Sequence, residues 1–223
     1  MDARQQARDL AREYLHRGSF LDWFEILYAS AGDNPEVVPW ADGRPNPHLV
    51  EWITEAGPPA PGSRAVVVGC GLGDDAEFLA ARGLAVTAFD LAPSAVRWCR
   101  RRFPDTRVDY LVADLLNPPV HWHRRFDLVF EAYTLQSLPP DMLGRAVTAV
   151  VGLLAPRGRL LVVTRGRDES EPADGPPWPL TRAALRAFIE EGLAEVGFQD
   201  DLDGREDPPV RRFRALYERR GDL

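Results

Sequence analysis

At 223 residues the chain is long enough for one α/β domain with a full core and short for two. Its hydrophobic fraction of 45% is ordinary for a globular protein, and no apolar run reaches the ~20 residues needed to span a bilayer. The net charge of −7, with basic residues that are all arginine, argues against a general nucleic-acid binder and excludes lysine chemistry such as a Schiff base or a Walker-type phosphate loop.

The start, Met1-Asp2-Ala3-Arg4-Gln5-Gln6, has no apolar stretch behind its arginines, so no secretory signal is expected and a cytoplasmic location is. Leu10, Tyr14 and Leu15 recur at helical spacing, which predicts a helix ending near Gly18. A second amphipathic helix is expected over 20–28, a loop of turn formers carrying Trp40 over 32–47, and a short helix over 48–56. Gly57-Pro58-Pro59-Ala60-Pro61-Gly62 then breaks the chain. Residues 1–62 are therefore read as a helical cap and 63–223 as the core of what is one domain overall.

From Arg64 the pattern alternates between strands and helices. Ala65-Val66-Val67-Val68 is a continuous apolar run, as expected of a parallel strand buried on both faces. Further strands are expected over 85–89, 108–112, 126–130 and 158–164, with helices over 74–82, 93–102 and 140–154 between them. A polar, proline-rich loop over 165–179 follows, a length that is often functional in a compact domain. Thr181 should cap a helix running to about Glu195, and strands over 196–199 and 212–217 close the fold, the last of them antiparallel. The alternation specifies a doubly wound, mostly parallel sheet.

In such a sheet a ligand sits beyond the carboxyl ends of the strands, where strand order reverses. Gly69, Gly71 and Gly73 lie there, directly after the first strand, and allow a tight turn with close approach of the backbone. Asp90 ends the second strand, where a carboxylate grips ribose hydroxyls. That alone also fits a nicotinamide dinucleotide. Three features turn the reading away from one: the G-x-G-x-x-G spacing is absent, Asp74 and Asp75 would oppose a pyrophosphate at a helix start, and Ala113-Asp114-Leu115 is suited to an adenine edge.

Together Val66-Val67-Val68-Gly69-Cys70-Gly71-Leu72-Gly73, Asp90, Ala113-Asp114-Leu115 and Phe126-Asp127-Leu128-Val129-Phe130-Glu131 resemble the successive motifs of class I S-adenosylmethionine-dependent methyltransferases. Leu153-Leu154-Ala155-Pro156-Arg157-Gly158-Arg159-Leu160 resembles that family's turn into its fifth strand. The resemblance covers roughly residues 64–165 and implies a seven-stranded Rossmann-like methyltransferase sheet with S-adenosylmethionine as cofactor and S-adenosylhomocysteine as product. It implies that Gly69, Cys70, Gly71 and Gly73 hold the methionine moiety, with Asp90 on the ribose and Leu91 against the adenine. Ala113, Asp114 and Leu115 would hold the adenine edge, and Glu131 would sit near the amino-acid end. Trp23-Phe24-Glu25-Ile26-Leu27-Tyr28 and Pro39-Trp40-Ala41-Asp42-Gly43-Arg44-Pro45-Asn46-Pro47-His48-Leu49 look like the cap of thiopurine, thiol and halide methyltransferases and their tellurite-resistance relatives, in which a tryptophan-bearing segment, here with Trp23 and Trp40, and an Asn-Pro-x-Leu stretch would close over the cofactor.

The acceptor expected from this resemblance is a small molecule, a thiol or a heteroaromatic S, N or O nucleophile, with a natural-product O- or N-methyltransferase as the alternative. A non-catalytic binder of S-adenosylmethionine or S-adenosylhomocysteine is the reading from another class. Tyr133, Gln136 and His48 are the candidates for positioning the acceptor, with Trp178 from the proline-rich loop. No metal, nucleic-acid or membrane partner is expected, and the chain is read as a monomer or homodimer. Asn117-Pro118-Pro119-Val120 precedes the fourth strand and is read as a turn, and His121 and His123 as surface residues. Cys70 belongs to the glycine turn and Cys99 to a helix facing the sheet, so neither is read as a nucleophile.

Overall fold

The computed structural model describes residues 3–32, 34–206 and 208–221. The outermost residues of the two expected segments, and Asp33 in the expected 32–47 loop, lie outside the described residues. The continuous apolar runs form parallel strands β1 (Arg64–Val68), β2 (Ala85–Asp90), β3 (Asp109–Val112), β4 (Phe126–Ala132) and β5 (Leu154–Arg165). With β6 (Leu193–Asp203) and β7 (Val210–Arg219) they make a seven-stranded sheet of order β3-β2-β1-β4-β5-β7-β6. Strand β7 runs antiparallel to both neighbours.

Eight helices surround the sheet among the described residues: α1 (Ala3–His16), α2 (Asp22–Ala31), α3 (Pro47–Ala56), α4 (Asp74–Ala80), α5 (Pro93–Arg102), α6 (Leu143–Leu153), α7 (Arg182–Leu185) and α8 (Ala187–Glu190). Because side chains alternate along a strand, each apolar run feeds two cores. Val66, Val68, Val129 and Val162 pack on one face with Val147 and Val150 of α6 and Phe188 of α8. Val67, Phe130, Leu161 and Val163 pack on the other with Leu79 of α4 and Cys99 of α5. Each such buried side chain contributes about 1.5–3 kcal/mol relative to exposure. No helix among the described residues is long and apolar enough to cross a membrane.

The chain leaves β1 towards β2 and β3, then returns across the sheet to β4 on the other side. The connections part at that reversal and open a crevice at the carboxyl ends of β1 and β4. Helices α1 and α2 share a small core of Ala7, Ala11, Phe20, Trp23 and Leu27. The Glu25 carboxylate ties α2 to the start of α5, accepting from Ser94 N at 2.8 Å and Ser94 Oγ at 2.6 Å. Helix α3, grouped with the cap in the sequence, packs differently: Leu49, Trp52 and Ile53 belong to the core beneath β1 and β4.

Several expected boundaries differ. The helix capped by Thr181 was expected to reach Glu195, but it splits into the single turns α7 and α8 and stops at Glu190. Residues from Leu193 onward are captured instead by pairing with β7, which extends β6 well beyond the expected 196–199. The helix expected from Pro140 opens as a 3-10 turn and becomes α-helical at Leu143.

Arg214 on β7 ties α3 to the sheet, donating to Glu55 Oε2 at 2.6 Å and to His48 O at 3.3 Å from a buried position. Arg214→Ala is expected to cost about 2 kcal/mol, the worth of hydrogen bonds made by a charged group, and to lower Tm by about 6 °C for a chain of this size. Arg211→Ala, which removes exposed pairs to Asp200 and Asp168, should cost about 0.5 kcal/mol or less. Thermal melts of both variants against the parent check the contrast.

Candidate active site

The glycine turn after β1 is fixed from several directions. Gly69 and Gly73 hold φ of 59° and 90°, and a Cβ on them would strike the hydroxyls of Thr134 and Tyr110. Those positions therefore require glycine on both conformational and steric grounds. Asp90, at the end of β2, accepts from Gly71 N at 3.0 Å with Oδ2 and from Ala92 N at 2.9 Å with Oδ1. Cys99 Sγ donates to Gly71 O at 3.1 Å, and Arg102 grips Asp74 with two bonds of 2.8 and 2.9 Å. Asp75 accepts from Asn46 N at 2.6 Å, which joins the loop before α3 to the same turn.

Burial raises two of these carboxyls, Asp90 and Asp75. Asp90 is pushed up to about 6, desolvation outweighing the bonds from Ala92 and Gly71. Asp75 is pushed up to about 7, again by burial, which the bond from Asn46 only partly offsets. Both stand in the wall of a cavity of about 440 Å³, a size proper to a small-ligand site.

An aromatic roof covers this cavity. Trp178 packs on Phe20 at 5.6 Å between ring centroids, Phe20 on Trp23 at 6.1 Å, and Trp23 edge-on to Trp40 at 5.8 Å. Trp40 Nε1 donates to Tyr28 Oη at 2.7 Å, and Tyr28 and Trp40 close over Gly71. Trp23 lines the cavity with its Nε1 buried and without a hydrogen-bond partner. A donor in that state suits a ligand that brings an acceptor. The proline-rich loop is held at its neck by Leu180 N to Arg165 O at 2.9 Å and pinned by Trp178 N to Gln136 O at 2.6 Å.

Beyond the turn the wall changes character. Tyr133, at φ 65°, follows β4 in a left-handed conformation that non-glycine residues seldom adopt, and it lines the cavity. Burial raises its phenol, so it stays neutral, with Asn46 as hydrogen-bond partner. The antiparallel pairing sets Arg212 opposite Arg165 and brings the end of β6 alongside. The β6–β7 hairpin thereby delivers Asp203, Arg205, Glu206 and Arg212 to the wall. Asp203 and Arg205 pair at 2.6 Å, while Glu206 binds Arg212, Arg165 at 3.1 Å and Arg4 at 3.0 Å.

Most residues singled out in the sequence meet here. Gly69, Cys70, Gly71, Gly73, Asp90, Leu91, Ala113, Asp114 and Leu115 line the cavity, as do Trp23, Trp40, Tyr133 and Gln136. Asp114 serves a turn as well, accepting from Leu116 N at 2.8 Å. Gln136 Oε1 is engaged by Thr164 Oγ1 at 2.9 Å and Arg165 N at 2.6 Å, so it braces β5 as well as lining the wall.

His48 and Glu131 do not line it. His48 is buried behind Asn46 and Pro47, between Glu51 at 3.5 Å and Arg205 at 3.3 Å, and burial lowers its pKa from the usual value. Glu131 is fully buried under the turn after β4, where Oε1 accepts from Leu135 N at 2.9 Å and Oε2 has no partner, and burial pushes its carboxyl up to about 7. Trp178 braces the roof from outside the cavity. The residues not foreseen are the charged group from the hairpin, while Tyr28 and Asn46 lie in the cap segments expected to close over the cofactor without having been singled out in them. No local motif marks the hairpin residues, because only strand register brings them to the crevice.

The family model for thiopurine S-methyltransferase matches residues 34–219. The chain is 26% identical over 201 residues to a probable thiol methyltransferase 2 of Arabidopsis thaliana, covering 87% of this chain and 81% of the relative. Among solved structures it is similar to one described for the conversion of a disulfide bond into a thioacetal group during echinomycin biosynthesis, with a TM-score of 0.72, 22% identity, and 91% and 94% of the two chains covered. It is also similar to the N-methyltransferase NodS of Bradyrhizobium japonicum, solved with S-adenosylhomocysteine, with a TM-score of 0.68, 22% identity, and 87% and 96% covered.

Ionised Asp90 anchors the turn and is the form that accepts hydroxyl donors, so lowering the pH through about 6 should weaken binding. Affinity for S-adenosylhomocysteine, measured calorimetrically, is expected to climb between about pH 5 and pH 8, with Asp75 extending the rise. Asp90→Asn should bind about 30-fold more weakly at pH 8, as loss of a charge-assisted contact requires, and the part of the slope near pH 6 should disappear.

Proposed function

We propose that this chain, which belongs to the thiopurine S-methyltransferase family, methylates a small aromatic or heteroaromatic thiol. It is an S-adenosylmethionine-dependent methyltransferase of small molecules. The cofactor supplies a methyl group on a positively charged sulfur, open to in-line attack, so alignment and exclusion of water carry much of the rate. The chain's own residues are suited to that work. Asp75 and Asp90 stand where they complement positive charge. The Trp23–Trp40–Tyr28 roof keeps water from the turn. Tyr133, held neutral by burial, can donate a hydrogen bond and orient an acceptor, but it is not set up to take a proton.

The observation that carries the thiol reading is the make-up of the wall on the β5–β7 side. Its apolar surface comes from Ala7, Tyr133, Pro176 and Pro177, while Asp203 and Glu206 are held by arginines and His48 stands behind the wall. A thiol, with its pKa near 8.5, needs little help from a base, and an aromatic thiol needs less. Acting in the cytoplasm as a monomer or homodimer, the enzyme would take a free small molecule rather than a nucleic acid, in keeping with its net charge of −7.

A second reading, transfer to a phenol or amine, has one observation in its favour. Asp75, pushed up to about 7, faces the cavity and could accept a proton near neutral pH. Purified protein given 4-methylbenzenethiol, 4-methylphenol and 4-methylaniline separates the two. The thiol is expected to lead in kcat/KM by about 100-fold, the scale on which a pocket separates nucleophiles. A lead for the phenol or the aniline that is abolished in Asp75→Asn would overturn the thiol reading in favour of the second.

A further inference from the structure

The cavity wall is divided by charge along the sheet. Asp74, Asp75, Asp90 and Asp114 come from the β1–β2–β3 side, while Arg165 and Arg212 come from β5 and β7, with Arg205, Asp203 and Glu206 from the β6–β7 hairpin. On that wall Arg165 and Arg212 share the carboxylate of Glu206, while Asp203 is bound by Arg205. Arg212 sits at the centre. It is 5% exposed, it faces Arg165 across the β5–β7 ladder, and its guanidinium lies 5.1 Å over the Tyr133 ring. Its Nη2 is bound by Glu206, but Nε and Nη1 are buried with no hydrogen-bond partner, since Asp203 Oδ2 approaches Nε only to 3.8 Å.

Buried guanidinium donors are costly to leave unmade, and a cluster of like charges adds to the cost. Burial and the neighbouring Arg212 both lower the pKa of Arg165, which is the signature of such crowding. The shortfall is one of hydrogen-bond acceptors for Arg212, located beside the phenol that faces the cavity.

We propose that the methyl acceptor carries a carboxylate on a small apolar body, and that Arg212, supported by Arg165, receives that carboxylate. The inference rests on reading the space beside Tyr133 as the acceptor site. An anion there accepts from Nε and Nη1 of Arg212, which have no hydrogen-bond partner, and eases the crowding of Arg212 against Arg165. The apolar body then lies along Tyr133, Pro176 and Pro177, which fixes the direction of the nucleophile.

The test uses a matched pair, 4-mercaptobenzoate and 4-methylbenzenethiol, with S-adenosylmethionine and the full chain. The parent should prefer the mercaptobenzoate by about 30-fold in kcat/KM, the worth of hydrogen bonds to a charged group, mostly through KM. Arg212→Gln should bring the ratio to near one, Arg165→Gln should lower it in part, and Arg212→Lys should restore some of it. Thermal melts show that the variants are folded. In parallel, 4-methylbenzoate should bind the complex with S-adenosylhomocysteine, and 4-methylbenzamide should not. Equal use of the two thiols by the parent overturns the carboxylate site while leaving the thiol reading intact. Loss of S-adenosylhomocysteine affinity in Arg212→Gln also overturns it, by assigning the arginine to the cofactor's own carboxylate. Methylation of neither thiol, with Arg212-dependent binding of 4-methylbenzoate, sinks the thiol reading and upholds the carboxylate site.

Discussion

A carboxylate buried at the end of β2 holds the site together. Asp90 faces the glycine turn across the crevice and accepts from it and from the start of α5 at once, Gly71 N on one oxygen and Ala92 N on the other. The turn cannot relax without losing one of these bonds, and the roof residues Tyr28 and Trp40 close onto the same glycine. Desolvation makes the arrangement costly, since burial lifts the carboxyl to about 6. A buried charge kept at such cost is common where a ligand supplies the missing partners.

From that anchor the rest of the site follows strand by strand. The reversal of strand order between β1 and β4 opens the crevice, and the strand ends supply acids on one side and arginines on the other. The antiparallel strand β7 makes the second half possible. A parallel strand in its place would send its early residues to the opposite edge of the sheet. Here Arg212, only two residues past the strand's start, lies opposite Arg165 at the end of β5.

The legible part of this molecule was the part coded locally. The run Ala65-Val66-Val67-Val68, the glycines that follow it and the acid that ends the next strand are close in sequence and each has a distinct physical signature. The residues expected to face the cofactor could therefore be named in advance as a group, and the described cavity collects them except for Glu131. Glu131 was misplaced because strand period alone cannot say whether a residue at a strand's end turns into the crevice or under the next turn. His48 was misplaced for a related reason: its helix packs into the core, so the residues just before it, Asn46 and Pro47, meet the cavity instead. The hairpin arginines were invisible because their position depends on register between strands far apart in the chain. The helix over-extended to Glu195 shows the same limit, since pairing with β7 overrode helical pattern from Leu193 onward.

The aromatic roof runs without a break from Trp178 on the proline-rich loop through Phe20 and Trp23 to Trp40 above the glycine turn. Its rings are carried mainly by α2 and the segment just before it, and α1 packs on the same small core. Uncovering the cavity means disturbing this one chain of ring contacts. If that chain of rings must part to release spent cofactor and methylated product alike, the two departures would share one opening movement, and the pace of turnover would be set by the mechanics of a lid instead of by the bond that forms beneath it.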